Sequence, residues 1–196
     1  IYSSMSVNKV VLISGANRGL GLEFCKQLLL ENNPPLDILT QDTASYTVIA
    51  LYRANSNHEI PPSLKELDEI VKKKNTDILD KNSYIQRYIL PLHCDVTNEN
   101  DINTVVQYIQ KSFNRLDVFI SNAGIASEPL DMSIKSIRSF DNVYSDIFTT
   151  NTFSPIIFTN LLSSLLLSSS MPLSLSQSTS TSSSSSTLTP SSSSSS

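Results

Sequence analysis

The stretch SGANRGLGLE, Ser14 to Glu23, constrains the fold more than any other part of the chain. Of the four glycines in the whole sequence, Gly15, Gly19 and Gly21 fall inside it. Soluble proteins average about 7% glycine, so a chain that otherwise avoids the residue places it where side chains must be absent. KVVLIS (Lys9 to Ser14) comes before, a β-branched and aliphatic run that reads as a strand covered on both faces. LGLEFCKQLLLEN comes after. It reads as a helix whose apolar face carries Leu20, Phe24 and Leu28, with Leu22, Cys25 and Leu29 beside them, stopped by Asn32, Asn33, Pro34 and Pro35. A strand, a bare turn and a helix can bring main chain against a phosphate. Gly15 permits the tight turn, Gly19 lets the backbone come close, and Gly21 lets the helix pack on the strand. The unpaired amides and positive end of the helix then face the anion.

The same alternation continues. YTVIALYR (Tyr46 to Arg53) reads as a second strand, and SLKELDEIVKKK as a helix with a Ser63/Glu66 capping box and a Leu64, Leu67, Val71 stripe. Lys72, Lys73 and Lys74 read as its solvated, cation-favouring end. YILPLHCDV is a third strand, and Pro91 within it implies an edge or a bulge. NENDINTVVQYIQKSF buries Ile102, Val105, Val106, Ile109 and Phe113, and Asn98 is placed to cap it. LDVFISNAG gives a fourth strand and a turn. A long helical segment from Ile134 to Leu167 shows Ile137, Phe140, Tyr144, Ile147, Phe148 and Phe158, with Pro155 set to kink or interrupt it. This is the pattern of a doubly wound parallel α/β sheet, a Rossmann fold, here incomplete with about four strands. Residues 1–8 read as a flexible start, 9–167 as the folded domain and 168–196 as a serine-rich, disordered tail.

A net charge of −4 with no larger basic cluster gives no sign of nucleic acid. Cys25 and Cys94 lie in apolar segments without ligand spacing, as buried thiols of a reducing, cytoplasmic setting do, and no metal site is implied. PIIFTNLLSSLLLSSS is broken by Asn160 and serines, and its apolar runs fall short of the roughly 20 residues a membrane span needs. His58 and His93 are given no catalytic role.

The spacing Ser14-Gly15-x-x-x-Gly19-x-Gly21 resembles the Thr-Gly-x-x-x-Gly-x-Gly fingerprint of the short-chain dehydrogenase/reductase family, with serine for threonine. CDVT (Cys94 to Thr97) resembles that family's Asp-Val motif. SNAG (Ser121 to Gly124) resembles its Asn-Asn-Ala-Gly, with Ser121 in place of the first asparagine, and TTNTFSP the segment holding its helix asparagine, here Asn151. The texture is closest to the carbonyl reductase-like, sniffer or C-factor group. The resemblance implies a dinucleotide lined by Gly15, Asn17, Arg18, Gly19, Leu20, Gly21, Arg53, Asp95, Val96, Asn122, Ala123 and Gly124, with Asn151 the one catalytic-type residue present. Leu51-Tyr52-Arg53 puts no carboxylate at the end of the second strand, and Arg18 and Arg53 both suit a 2′-phosphate, which favours NADP over NAD. It further implies a small carbonyl or alcohol substrate and a homo-oligomeric full-length protein.

In that family a tyrosine, with a lysine four residues later, handles the proton, and a serine holds the carbonyl oxygen. The residues four positions after the seven tyrosines are Ser6, Ala50, Ser56, Tyr88, Leu92, Ser112 and Phe148. None is lysine, and neither tyrosine nor lysine occurs after Asn151. Three readings stand open: a fragment of an enzyme, which the start at Ile1 and the serine-rich end favour; a non-catalytic NADP-binding regulator; and a faulty translation.

Overall fold

Along the first strand, successive side chains enter two different cores. Val11 and Ile13 pack with Cys25, Leu28, Leu29, Leu64, Leu67 and Val71, whereas Val10 and Leu12 pack with Ile102, Val105, Ile109, Phe158, Leu162 and Leu165. A strand lies between two helical layers, which is why its sequence shows a continuous apolar run and no alternation. The computed structural model describes residues 8–31, 45–54, 59–79, 86–126 and 142–170. Within them the order is β1 (Asn8–Ile13), α1 (Gly19–Leu30), β2 (Ser45–Tyr52), α2 (Pro62–Leu79), β3 (Arg87–His93), α3 (Glu99–Ser112), β4 (Val118–Ile120), α4 (Asn142–Phe148), a π turn (Thr149–Phe153) and α5 (Ser154–Ser170). The four strands are parallel in the order β3-β2-β1-β4. The doubly wound reading holds, and α1 and α2 cover one face while α3 and α5 cover the other. Pro91 lies in β3, an outer strand among the described residues, where the donor it lacks can be spared.

Several local readings shift. The buried face of α1 is Gly21, Cys25, Leu28 and Leu29, and Leu20 and Phe24 are exposed. The four-residue step Leu20-Phe24-Leu28 competes with a second stripe beginning at Gly21, and the second wins because only a glycine can lie against the turn. α2 runs on to Leu79, so Lys72–Lys74 are not its last turn. Lys72 pairs with Asp68 and Glu69, and Lys74 donates to Leu30 O. Arg87 Nη1 donates to Leu29 O at 3.0 Å and also to Glu31 O, so two cations complete the carbonyl end of α1. The expected helix Ile134–Leu167 is described from Asn142 and is interrupted, with Ile137 and Phe140 outside the described residues. Pro155 has no N–H and its ring would meet the carbonyl four residues back. The chain widens into the π turn just before it, where Ser154 N–H reaches Thr149 O. Phe158 is buried as read, Phe148 is exposed, and α5 extends past Ser168 to Ser170.

The opposite end of the sheet is fastened by Asp117, whose side chain is 4% exposed. Its Oδ2 accepts Val10 N–H at 2.9 Å, its own N–H donates to Val10 O at 2.9 Å, and Lys9 (3.3 Å) and Arg115 supply positive charge. Asp117→Ala strands a buried amide and two cations. Urea denaturation should show stability lowered by about 2–3 kcal/mol.

Candidate dinucleotide site

Where β1 ends, Ser14 is buried and its N–H still pairs with Ile120 O of β4, at 3.0 Å. Its hydroxyl accepts the amides of Asn122 and Ala123, both at 3.0 Å. Asn122 returns its side-chain amide to Ser14 O and Gly15 O, each at 3.1 Å. The glycine turn and the exit of β4 are thus sewn together by one hydroxyl and one carboxamide. A threonine would offer the same oxygen, which is why serine can stand in its place.

Gly15 and Gly19 have φ of +65° and +56°, left-handed backbone that disfavours other residues. Gly21 is required for a different reason: a Cβ there would lie 2.2 Å from Gly15 O and 2.5 Å from Asn122 Nδ2. At Gly19 a Cβ would meet nothing within 4 Å, so only its backbone angle demands glycine. Arg18 forms the N-cap of α1 in extended backbone and makes no side-chain cap, which leaves the first amides of the helix to an outside acceptor.

A cleft of about 320 Å³ opens over this turn at the carboxyl ends of the strands. Gly15, Asn17, Arg18 and Gly19 line one wall, and Arg53, exposed just after β2, stands beside them. Asp95 and Val96 line a second wall, and Asn122, Ala123 and Gly124 a third. Three of the residues singled out do not line it. Leu20 is 71% exposed on α1, Gly21 is buried behind the turn, and Asn151 lies in the π turn. Asn151 accepts Ile125 N–H at 2.9 Å and donates to Ile125 O at 2.8 Å, so it clamps the chain just after the SNAG turn. Cys94, Thr97, Ile125 and Thr150 also line the cleft and were not singled out. Cys94 and Thr97 are the ends of CDVT itself, Thr150 lies within TTNTFSP and Ile125 follows SNAG, so membership of a motif, or adjacency to one, was the available signal.

Asp95 begins a tight turn: its Oδ1 accepts Thr97 N–H at 2.9 Å and Thr97 Oγ1 at 2.7 Å. Burial raises its pKa, but the two Thr97 bonds and the charge of Arg53 outweigh that and hold the carboxyl below its ordinary value. Asn98 caps α3 as read, accepting Asn100 N–H at 2.9 Å. Asp101 Oδ2 takes Asp95 N–H at 2.8 Å and lies 3.6 Å from His93 Nδ1. Burial pushes the Cys25 and Cys94 thiols up to about 12, helped at Cys94 by Asp101 and Asp95, so both stay protonated and inert near neutrality. Among the described residues no helix is long and apolar enough to cross a membrane.

A parallel sheet whose strand order reverses between β1 and β4, with a bare turn and a cleft at that point, defines a Rossmann-like α/β fold. The family profile described as "Enoyl-(Acyl carrier protein) reductase" matches residues 66–189. The 3-oxoacyl-[acyl-carrier-protein] reductase FabG of Buchnera aphidicola subsp. Baizongia pistaciae is 27% identical over 131 residues, covering 67% of this chain and 40% of that protein. The crystal structure of the KRED1-Pglu enzyme superimposes with a TM-score of 0.52 at 25% identity, over 82% of this chain and 52% of that one. L-sorbose reductase from Gluconobacter frateurii, solved with NADPH and L-sorbose, shares the fold with a TM-score of 0.51 at 15% identity, over 84% and 49% of the two chains. The chain belongs to the short-chain dehydrogenase/reductase family. It spans about half the length, or less, of the relatives it matches.

Proposed function

We propose that this chain binds NADP(H) in the cleft, with the diphosphate on the glycine turn, and serves a carbonyl reductase-like oxidoreductase of the family. The observation that carries this is the contact of Gly21 with Gly15 O and Asn122, which leaves no space for a side chain and sets the open end of α1 at the cleft. The residues fit such a group: uncapped amides at a helix N-terminus for the diphosphate, Arg18 and Arg53 for a 2′-phosphate, and Asp95 for adenine nitrogen. The neighbour solved with NADPH supports the same coenzyme class. A bound nicotinamide coenzyme supplies the hydride.

Asn151 orders Ile125 at the inner edge of the cleft. Carbonyl reduction also needs a proton donor, and Tyr-x-x-x-Lys is absent from the sequence of this chain, so we expect it to bind coenzyme without turnover on its own. A small carbonyl or alcohol substrate, a cytoplasmic setting and a homo-oligomeric full-length protein belong to this reading. The missing pattern also favours a second one, a non-catalytic NADP-binding regulator; a serine followed by Tyr-x-x-x-Lys in downstream coding sequence would decide for the enzyme. Calorimetric titration of the chain with NADPH and NADH tests the first reading. Saturable heat with NADPH, and less with NADH, is expected; heat with neither overturns it.

A further inference from the structure

The pair Ser63/Glu66 has capping-box spacing, yet the helix starts at Pro62 and Ser63 already lies inside its first turn. Its hydroxyl donates at 2.7 Å to Asn17 O in the glycine turn. α2 has no need of that hydroxyl, because Pro61 O accepts Leu64 N–H at 3.0 Å and Lys65 N–H at 3.1 Å, and Pro62 has no N–H to satisfy. Leu64, Leu67 and Val71 root the helix in the core. Ser63 is therefore a fixed point.

The turn it reaches is fastened unevenly. Its inner part is tied to β4 through Ser14 and Asn122, and Ala16 N–H pairs with Leu51 O at 2.8 Å. Its outer part, the half-buried Asn17 and the exposed Arg18, is tied to α2 through Ser63. In a planar trans peptide the C=O of one residue and the N–H of the next point in opposite directions. Holding Asn17 O against α2 therefore holds Arg18 N–H facing away from α2, at the rim where Asn17 and Arg18 line the cleft.

We propose that Ser63 is a positioning residue that sets this peptide plane so that the outer amides of the glycine turn are aligned for a diphosphate. The inference rests on the coenzyme reading above. Its test compares Ser63→Ala and Ser63→Val, which remove the hydroxyl, with Ser63→Thr, which keeps it in the shape of valine. NADPH affinity should fall about fivefold in Ala and Val, the loss of one hydrogen bond, and stay near wild type in Thr. Adenosine 2′-monophosphate, which has no 5′-phosphate, should bind all four proteins alike. In the coenzyme-free chain, the Asn17 carbonyl carbon resonance should move upfield in Ala and Val alone, where it loses the hydroxyl. Unchanged NADPH affinity or an unmoved Asn17 carbonyl resonance in Ala and Val overturns the proposal, as does equal weakening of both ligands or failure of Thr to restore binding. A wild-type chain that ignores NADPH overturns the coenzyme reading, while the Asn17 resonance still judges the tie.

Discussion

Gly21→Ala should abolish NADPH binding and lower the melting temperature by about 6–10 °C, the result of a clash worth about 2–3 kcal/mol. The added methyl would sit 2.2 Å from Gly15 O and 2.9 Å from Gly15 C, both backbone atoms that cannot rotate away. Either α1 retreats or the turn deforms, and both displace the amides that face the cleft. Gly19→Ala is the informative companion. There the methyl enters open space, and only the φ of +56° resists it, at about 1 kcal/mol. Differential scanning fluorimetry should therefore rank Gly21→Ala well below Gly19→Ala. Equal losses would show that backbone angle, and not close approach, makes glycine necessary in both places.

The second large effect is expected at Arg53→Asp. Arg53 follows β2, exposed, and lines the cleft together with Arg18. At the 2′-phosphate site proposed above, exchanging a guanidinium for a carboxylate would remove a charge-assisted bond and set like charges together, which should weaken NADPH at least about a hundredfold. NADH, with free ribose hydroxyls for the new carboxylate, should bind more tightly than before. The ratio of the two dissociation constants, taken by coenzyme fluorescence, checks this. An unchanged ratio would remove Arg53 from the phosphate site.

What could be read ahead of the structure was whatever short-range pattern determines. The run Lys9–Ser14, the glycine turn and the Asn98 cap depend on neighbours in sequence, and they lie where expected. The readings that moved depend on distant partners. Ser63 and Glu66 look like a cap until Asn17, 46 residues earlier, takes the hydroxyl. Lys74 looks solvated until the end of α1 arrives beside it. Leu20 and Phe24 look buried because apolar periodicity cannot tell which of two overlapping stripes meets the sheet. Around the cleft, ten lining positions could be named from the motifs and from the end of β2, while Cys94, Thr97 and Thr150 lie within those motifs and Ile125 beside one, where only the folded chain shows that they face the cleft.

β1 occupies the middle of the sheet, with β2 on one side and β4 on the other. A ribosome therefore releases the centre long before either flank. Val10 waits for Asp117, 107 residues further on, and at about 5–20 residues per second that delay is of order ten seconds. Throughout it the most apolar segment of a nascent chain has one bare side, the kind of surface that chaperones clasp and neighbouring polysome products stick to.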